Sequence, residues 1–219
     1  MHKPNDGSLF PSANGSFRIV GVDPAAAGPT GFGVVEMDGR GWRVLRYGAL
    51  HVPAKRQREC FGAVLQEVHE LLCRLLDDFS PCVLAVESVF TALNMKTALR
   101  LAEVRGVVLL AAAQRGIAVY SYSPREVKAS VAGYGQADKR QMQIMVRALL
   151  GMKEIPEPYD AADALAVALC HAQAEQARRR FGMPSRTEKR PVDGRLLPVR
   201  AALARGATHH PAPRIESSR

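Results

Sequence analysis

FRIVGVD, at residues 17–23, is a continuous apolar run that ends on an acid. A strand whose two faces are both buried has this pattern, so the segment predicts a central strand of a sheet. CVLAVE, at residues 82–87, has the same pattern and ends on Glu87. Because open α/β sheets bind their ligands at the carboxyl ends of the strands, we expect Asp23 and Glu87 to lie at one edge.

Two more acids stand three residues apart in YDAADALAVAL, at residues 159–169. The spacing places Asp160 and Asp163 on one face of a helix, where both can point at the same target. Four acids gathered at one place would repel one another unless a cation lay between them. Carboxylate oxygens are ligands that Mg²⁺ and Mn²⁺ prefer, so the four acids together predict a hard-metal site.

Each acid also has a purely structural interpretation. Asp23 precedes a proline, which is typical of a turn. Asp160 could cap the last helix, with Asp163 in its first turn. Glu87 is harder to explain in this way, because Glu is rare in strands and seldom fully buried without a partner. The combination of all four acids favours the metal site.

The composition is that of an ordinary globular protein, with 219 residues, 47% of them apolar, and no apolar run as long as a transmembrane helix. Residues 1–16 lack the continuous apolar segment of a secretory signal, and we expect a disordered leader there. The four cysteines form no C-x-x-C pair, which favours buried free thiols over a zinc site. We therefore expect a cytoplasmic protein.

The net charge of +9 is concentrated near the carboxyl end. Residues 178–219 contain eleven Lys or Arg and three acids, and the remainder of the chain is almost neutral. Such an arm is typical of a flexible contact with nucleic acid, but a solubilising tail without a partner has the same composition. The predicted organisation is a leader at 1–16, one globular domain at 17–176 and a disordered basic tail at 177–219.

The order of the patterns predicts an α/β fold. Three strand patterns follow one another at 17–23, 32–37 and 42–52, which favours antiparallel neighbours. Strand and helix patterns then alternate, which favours parallel strands joined by crossover helices. The later strands are predicted at 82–87 and 117–122, and the helices at 56–79, 94–115, 124–131 and 137–150, before the last helix that holds Asp160 and Asp163.

Six motifs carry a resemblance to a known family. They are VDP at 22–24, TGFGV at 30–34, AVESVF at 85–90, RLAEVRGVVLLAA at 100–112, PREVKASVAGYGQADKRQM at 124–142 and DAADALAVAL at 160–169. In these motifs the chain resembles the RuvC-type Holliday junction resolvases, which are bacterial crossover-junction endonucleases. The resemblance implies a ribonuclease H-like α/β fold, with a mixed central sheet of about five strands flanked by helices.

The resemblance also implies an activity and its residues. The implied activity is metal-dependent resolution of four-way (Holliday) DNA junctions, by paired symmetric phosphodiester hydrolysis during recombination and repair. The implied catalytic and metal-binding acids are Asp23, Glu87, Asp160 and Asp163. The implied cofactor is Mg²⁺, with two ions per subunit that Mn²⁺ can replace. The implied DNA-binding residues are Phe90, Lys128 and Lys139.

The partners implied by the resemblance are four-way junction DNA, a second copy of the chain in a homodimer, and the RuvA–RuvB branch-migration complex. A stripe of small and apolar residues along the helix at 94–115 suits close helix packing, and the resemblance implies that a neighbouring surface joins the two subunits. One departure from the family lies in the loop at 24–30, where Ala25 stands in place of a glycine. Since glycine allows backbone conformations that alanine avoids, we expect this loop to follow a different path.

Two other functions compete with this interpretation. An actin-like ATPase or sugar kinase also places a Thr-Gly turn after a strand that ends in Asp, but it needs a second phosphate loop that the sequence does not contain. A non-catalytic junction-binding protein would bind the same DNA. It would gain nothing from four acids beside phosphates, which favours a nuclease.

Overall fold

The computed structural model of the chain describes residues 17–26, 28–37, 41–88 and 94–183. The leader predicted at 1–16 lies outside the described residues, and so does the part of the basic tail beyond residue 183.

The described residues contain one five-stranded mixed sheet, with the strand order β3-β2-β1-β4-β5. The strands are β1 (Phe17–Asp23), β2 (Thr30–Met37), β3 (Trp42–Leu50), β4 (Val83–Glu87) and β5 (Ala118–Tyr122). The first three strands pair antiparallel, and β1, β4 and β5 pair parallel. The mixed α/β sheet predicted from the order of the patterns is therefore confirmed.

Six helices surround this sheet in the described part of the chain. They are α1 (Ala54–Glu59), α2 (Phe61–Phe79), α3 (Met95–Gln114), α4 (Pro124–Ala132), α5 (Lys139–Leu149) and α6 (Tyr159–Arg180). α6 thus continues four residues past the domain boundary predicted at 176. Within the described ranges, no helix has the length and the hydropathy that crossing a membrane requires.

The prediction of a single helix at 56–79 is wrong. Cys60 has an extended backbone, with φ −157° and ψ 165°, and it separates α1 from α2. The physical reason is that α1 buries none of its residues, whereas α2 buries an apolar face against the sheet. No packing against the core therefore ties the axis of α1 to that of α2.

The core lies on both faces of the sheet, because successive residues of a strand point to opposite sides. Ile19 of β1 belongs to an apolar cluster with buried residues of α4, α5 and α6. Its neighbours Val20 and Val22 belong to a second cluster, with buried residues of α2 and α3. This two-sided burial is what the continuous apolar run at 17–23 predicts.

Three glycines bring α6 close to the sheet. A Cβ atom added at Gly21 of β1 would lie 2.0 Å from the carbonyl oxygen of Ala164, and one at Gly33 of β2 would lie 2.6 Å from a methyl carbon of Leu165. A Cβ at Gly31 would lie 2.0 Å from the carbonyl oxygen of Asp160. Because real side chains do not tolerate such distances, only glycines allow α6 to lie at this depth.

The connection from α5 to α6 is held by a buried amide. Gln143 of α5 is 3% exposed, and its Nε2 donates a hydrogen bond of 3.0 Å to the carbonyl oxygen of Pro156. A buried amide without such a partner would be destabilising, so this bond both satisfies Gln143 and fixes the chain before α6. The position of Asp160 and Asp163 therefore depends on α5 as well as on the sheet.

Candidate active site

Two of the four acids meet at the carboxyl edge of the sheet, as the sequence predicts. Asp23 ends β1 and Glu87 ends β4, and these strands are parallel neighbours. The pairing of Val22 with Val86 places the two acids at the same level of the sheet. Their carboxyl groups are close enough to share a hydrogen bond.

The other two acids lie on the first turns of α6. Asp160 is the second residue of this helix, so it lies within the first turn and not at the cap. The charges of both Asp160 and Asp163 act on Asp23. The structure therefore brings the negative charge of all four acids to one place, although they come from three separated stretches of the chain.

A cavity of about 310 Å³ lies between these elements. Its charged lining consists of Asp23, Glu87, Asp163, Lys128 and Lys139, and its remaining lining is Pro124, Val127 and Met142. Asp160 does not line this cavity, and it acts on the site through its charge.

The carboxyl group of Asp23 resists ionisation in this environment. Its pKa is raised to about 9, first by burial, then by the charge of Glu87 and the hydrogen bond with it, and further by Asp163 and Asp160. Burial and nearby like charges both disfavour a carboxylate. Asp23 therefore binds a proton at neutral pH unless a cation takes its place.

Burial also raises the pKa of Glu87 and that of Asp163. Lys128 and Lys139 act in the opposite direction and lower both pKa values, because positive charge favours a carboxylate. The hydrogen bond from Asp23 lowers the pKa of Glu87 as well. The hydrogen bond between the two groups thus favours a protonated Asp23 and an ionised Glu87.

Capped helices hold the two lysines at this cavity. Lys139 is the first residue of α5, and the Asp138 side chain before it accepts a 2.8 Å hydrogen bond from the N–H of Gln141. The Gln141 side chain accepts in return from the N–H of Asp138 at 2.9 Å, which completes a capping box. Lys128 lies in α4, which begins with an equivalent box at Ser123.

The donor set fits a hard divalent cation. Within the described residues, no three Asp, Glu, His or Cys side chains already converge as the ligands of one ion do. Instead, a hydrogen bond joins Asp23 and Glu87, and burial and the neighbouring acids raise the pKa of Asp23. All the acids offer oxygen ligands, and a divalent cation would relieve the repulsion that raises these pKa values.

Two features of the predicted site fall partly or wholly outside the described residues. Phe90, predicted to contact DNA, lies outside them, and so does Ala27 in the loop at 24–30. In the described part of this loop, Gly28 has φ 113°, in the region that favours glycine. The backbone freedom that Ala25 does not provide is therefore available three residues later.

One residue of the site was not predicted from the sequence. Tyr159, the first residue of α6, is 49% exposed, and its ring centroid lies 5.6 Å from Nζ of Lys139. A single tyrosine after two prolines has no periodicity that would indicate such a contact. Only the packing of α5 against α6 reveals it.

Comparisons with known proteins identify the family. The family described as "Crossover junction endodeoxyribonuclease RuvC" matches residues 19–171. A relative of that name from Chloroflexus aggregans is 47% identical over 166 residues, which cover 76% of this chain and 99% of the relative. Another, from Thermotoga maritima, is 42% identical over 165 residues, which cover 75% of this chain and 96% of the relative.

Solved structures agree with this result. A structure described as "T. thermophilus RuvC in complex with Holliday junction substrate" matches with a TM-score of 0.67 and 34% identity, over 77% of this chain and 98% of that one. The yeast mitochondrial resolvase Ydc2 matches with a TM-score of 0.53 at 14% identity, over 78% of this chain and 87% of that one, which supports the fold alone. The expected ribonuclease H-like fold is confirmed, and the chain belongs to the crossover junction endodeoxyribonuclease RuvC family.

Proposed function

We propose that this chain is a metal-dependent endonuclease that resolves four-way DNA junctions by paired, symmetric phosphodiester hydrolysis during recombination and repair. The observation that carries the proposal is the cavity in which Asp23, Glu87 and Asp163 face Lys128 and Lys139. Metal-assisted hydrolysis of a phosphodiester uses carboxylates to bind cations and positively charged side chains to bind phosphate, and the cavity offers both. Family membership supports the choice of junction DNA as the substrate.

Asp23, Glu87, Asp160 and Asp163 are the proposed ligands of two Mg²⁺ ions in each subunit, and Mn²⁺ is proposed to replace them. When bound, such ions supply an activated water and stabilise charge on the leaving 3′ oxygen. Asp23 must release its proton before it can act as a ligand, because a protonated carboxyl group is a poor one. Metal affinity should therefore increase with pH.

Lys128 and Lys139 are the proposed phosphate contacts. Both lie close enough to the acids to lower the pKa of Glu87 and that of Asp163. A phosphate between the lysines and the acids would be held by positive charge on one side and by bound cations on the other. Phe90 is proposed to contact the junction beside this site, as the family resemblance implies.

The proposed assembly is a homodimer, which would present two active sites to a junction of approximate two-fold symmetry. Exposed apolar side chains of α3 support it, because Met95, Leu99 and Leu110 lie on one face of this helix. We propose the RuvA–RuvB branch-migration complex as a further partner. A cytoplasmic location agrees with four cysteines that are all free thiols.

The decisive experiment measures cleavage of a synthetic four-way junction with and without Mg²⁺, and maps the cut positions on all four strands. We expect paired cuts on opposite strands, only when the metal is present, and no cleavage of a linear duplex of the same sequence. Glu87→Gln should abolish cleavage and preserve binding, because affinity comes mainly from phosphate contacts. The same loss is expected for the amide variants of Asp23, Asp160 and Asp163.

The matched control is Asp78→Asn, which makes the same change at an exposed acid of α2. It should cleave the junction at the normal rate. Cleavage at the normal rate by Glu87→Gln would remove the metal-site proposal.

A further inference from the structure

An exposed aromatic ring lies beside Lys139, at the point where α6 begins. Tyr159 directly precedes Asp160, and about half of its surface, 49%, is open to solvent. Its ring centroid lies 5.6 Å from Nζ of Lys139, which is within the range of a cation–π contact. The ring also has a large apolar area on which a second planar group can stack.

The position of the ring relative to the acids follows from its neighbours. Lys139 lines the same cavity as Asp23, Glu87 and Asp163, and the Tyr159 ring contacts Lys139 from outside this lining. A DNA strand whose phosphate contacts Lys139 would then lie within reach of the Tyr159 ring. Its bases are attached within a few ångströms of that phosphate.

We infer that Tyr159 stacks on a base adjacent to the phosphate that is cleaved. Aromatic side chains bind unpaired bases by stacking, and a junction has bases at its crossover that can leave their pairs. The inference rests on the proposed function, since it needs a DNA strand in the cavity. It assigns a nucleobase as the ligand of Tyr159, a residue for which the sequence indicated no role. A base bound in this way would make Tyr159 influence which nucleotides are preferred beside the cut.

A different role for Tyr159 would be to position Lys139 through the cation–π contact alone. Tyr134 shows what a purely anchoring tyrosine looks like in this region. It is 48% exposed, but its hydroxyl group donates a hydrogen bond to Gln141 in the first turn of α5. Stacking on a base and positioning of Lys139 predict different junction affinities when that base is removed from the DNA.

The test is a double-mutant cycle between protein and DNA. Junction affinity is measured for the full chain carrying Glu87→Gln, so that the DNA stays intact, with Tyr159 or with Tyr159→Leu. Each protein is given an ordinary junction and junctions with an abasic nucleotide on either side of the mapped cut. If the ring stacks on the base, the two losses are not additive, and their coupling should be about 5-fold or more in affinity at one of the two positions.

Three controls complete the cycle. Tyr159→Phe keeps the ring and should retain the coupling. Tyr47→Leu changes a 36% exposed tyrosine on β3, away from the cavity, and should show none. In the active protein, Tyr159→Leu should also flatten the preference for nucleotides beside the cut, measured on junctions randomised at those positions.

Additive losses at both positions would overturn the inference, even if Tyr159→Leu slowed cleavage, because a residue that only positions Lys139 does not sense the base. The proposed function fails separately. If the unchanged chain does not cleave a four-way junction in the presence of Mg²⁺, the proposed nuclease function is wrong. If it cleaves normally and the cycle shows no coupling, only the role of Tyr159 is wrong.

Discussion

Gly31 of β2 lies directly against the backbone of Asp160 in α6, so that a Cβ atom on Gly31 would be 2.0 Å from the Asp160 carbonyl oxygen. The backbone of Gly31 cannot move far, because this residue pairs with Asp23 on β1 and with Ala49 on β3. The glycine thus sets the distance between the sheet that carries Asp23 and the helix that carries the other pair of acids.

Replacement of Gly31 by Ala should therefore displace the start of α6. We expect junction cleavage to fall by at least about 100-fold, since a shift of about 1 Å at a catalytic group is enough for such a loss. The free energy of unfolding should also fall, by about 1–3 kcal/mol, as for other overpacked sites. Cleavage kinetics and denaturant unfolding measure the two effects.

The control for this variant is Gly62→Ala. A Cβ at Gly62 would meet only the sulfur of Cys60, at an ordinary distance of 3.7 Å. Because Ala is a better helix former than Gly, this change should leave activity unchanged and preserve or raise stability. Normal cleavage by Gly31→Ala would show that the tight packing of α6 does not position the acids.

The stability of the metal-free protein should depend on pH through Asp23. The folded pKa of about 9 exceeds the ordinary value of 3.8, so the folded state binds a proton more tightly than the unfolded chain. Stability is therefore greatest below pH 4 for this group and falls as the pH rises toward 9, with a slope of at most about 1.4 kcal/mol per pH unit. Thermal unfolding in a chelator at pH 6 and pH 8 measures the fall.

Asp23→Asn removes this titrating group and, with it, the free-energy cost of keeping a carboxyl group protonated well above its ordinary pKa. In the chelator at pH 8 the variant should unfold at a higher temperature than the unchanged chain, by several degrees, because about 1 kcal/mol corresponds to about 2–4 °C at this size. Added Mg²⁺ should stabilise the unchanged chain more than the variant. Equal midpoints for both proteins at pH 8 would contradict the raised pKa.

Lys139→Ala should slow the cleavage step more than it weakens binding. One phosphate contact among many contributes little to affinity, but a charge beside the reacting phosphate stabilises the transition state. We expect the single-turnover rate constant on saturated junction to fall by about 10-fold or more. Arg140→Ala, which removes the adjacent exposed cation, is the matched control. An unchanged rate constant would assign Lys139 to the solvated face of α5.

Deletion of residues 184–219 should weaken junction binding without changing its selectivity. This segment carries eight Lys or Arg and three acids, and the cut leaves α6 complete through Arg180. Contacts between such a segment and phosphates release counterions. The affinity that they add therefore depends on salt concentration and is the same for a junction as for a duplex. The slope of log affinity against log salt should become shallower, and the ratio of junction to duplex affinity should stay constant. A collapse of that ratio would mean that the tail reads DNA structure.

The convergence of the acids could be predicted from the sequence alone, for a local reason. A strand buried on both faces is largely apolar, so FRIVGVD and CVLAVE identify central strands, and the acids at their ends are carried to one edge of the sheet. The spacing of Asp160 and Asp163 likewise fixes a shared helix face. Their roles as metal ligands, and those of Lys128, Lys139 and Phe90 in binding DNA, stay predictions.

Other features were decided by contacts between distant parts of the chain. The break at Cys60 is absent from the helical pattern, because it depends on which residues the sheet buries. The distance between α6 and the sheet depends on glycines of β1 and β2, which lie far from α6 in the sequence. The contact between Lys139 and Tyr159 joins residues of two helices whose relative position is set by their packing. Local sequence determines which helices and strands form and which residues end them. Only tertiary packing decides which side chains of different helices and strands come into contact.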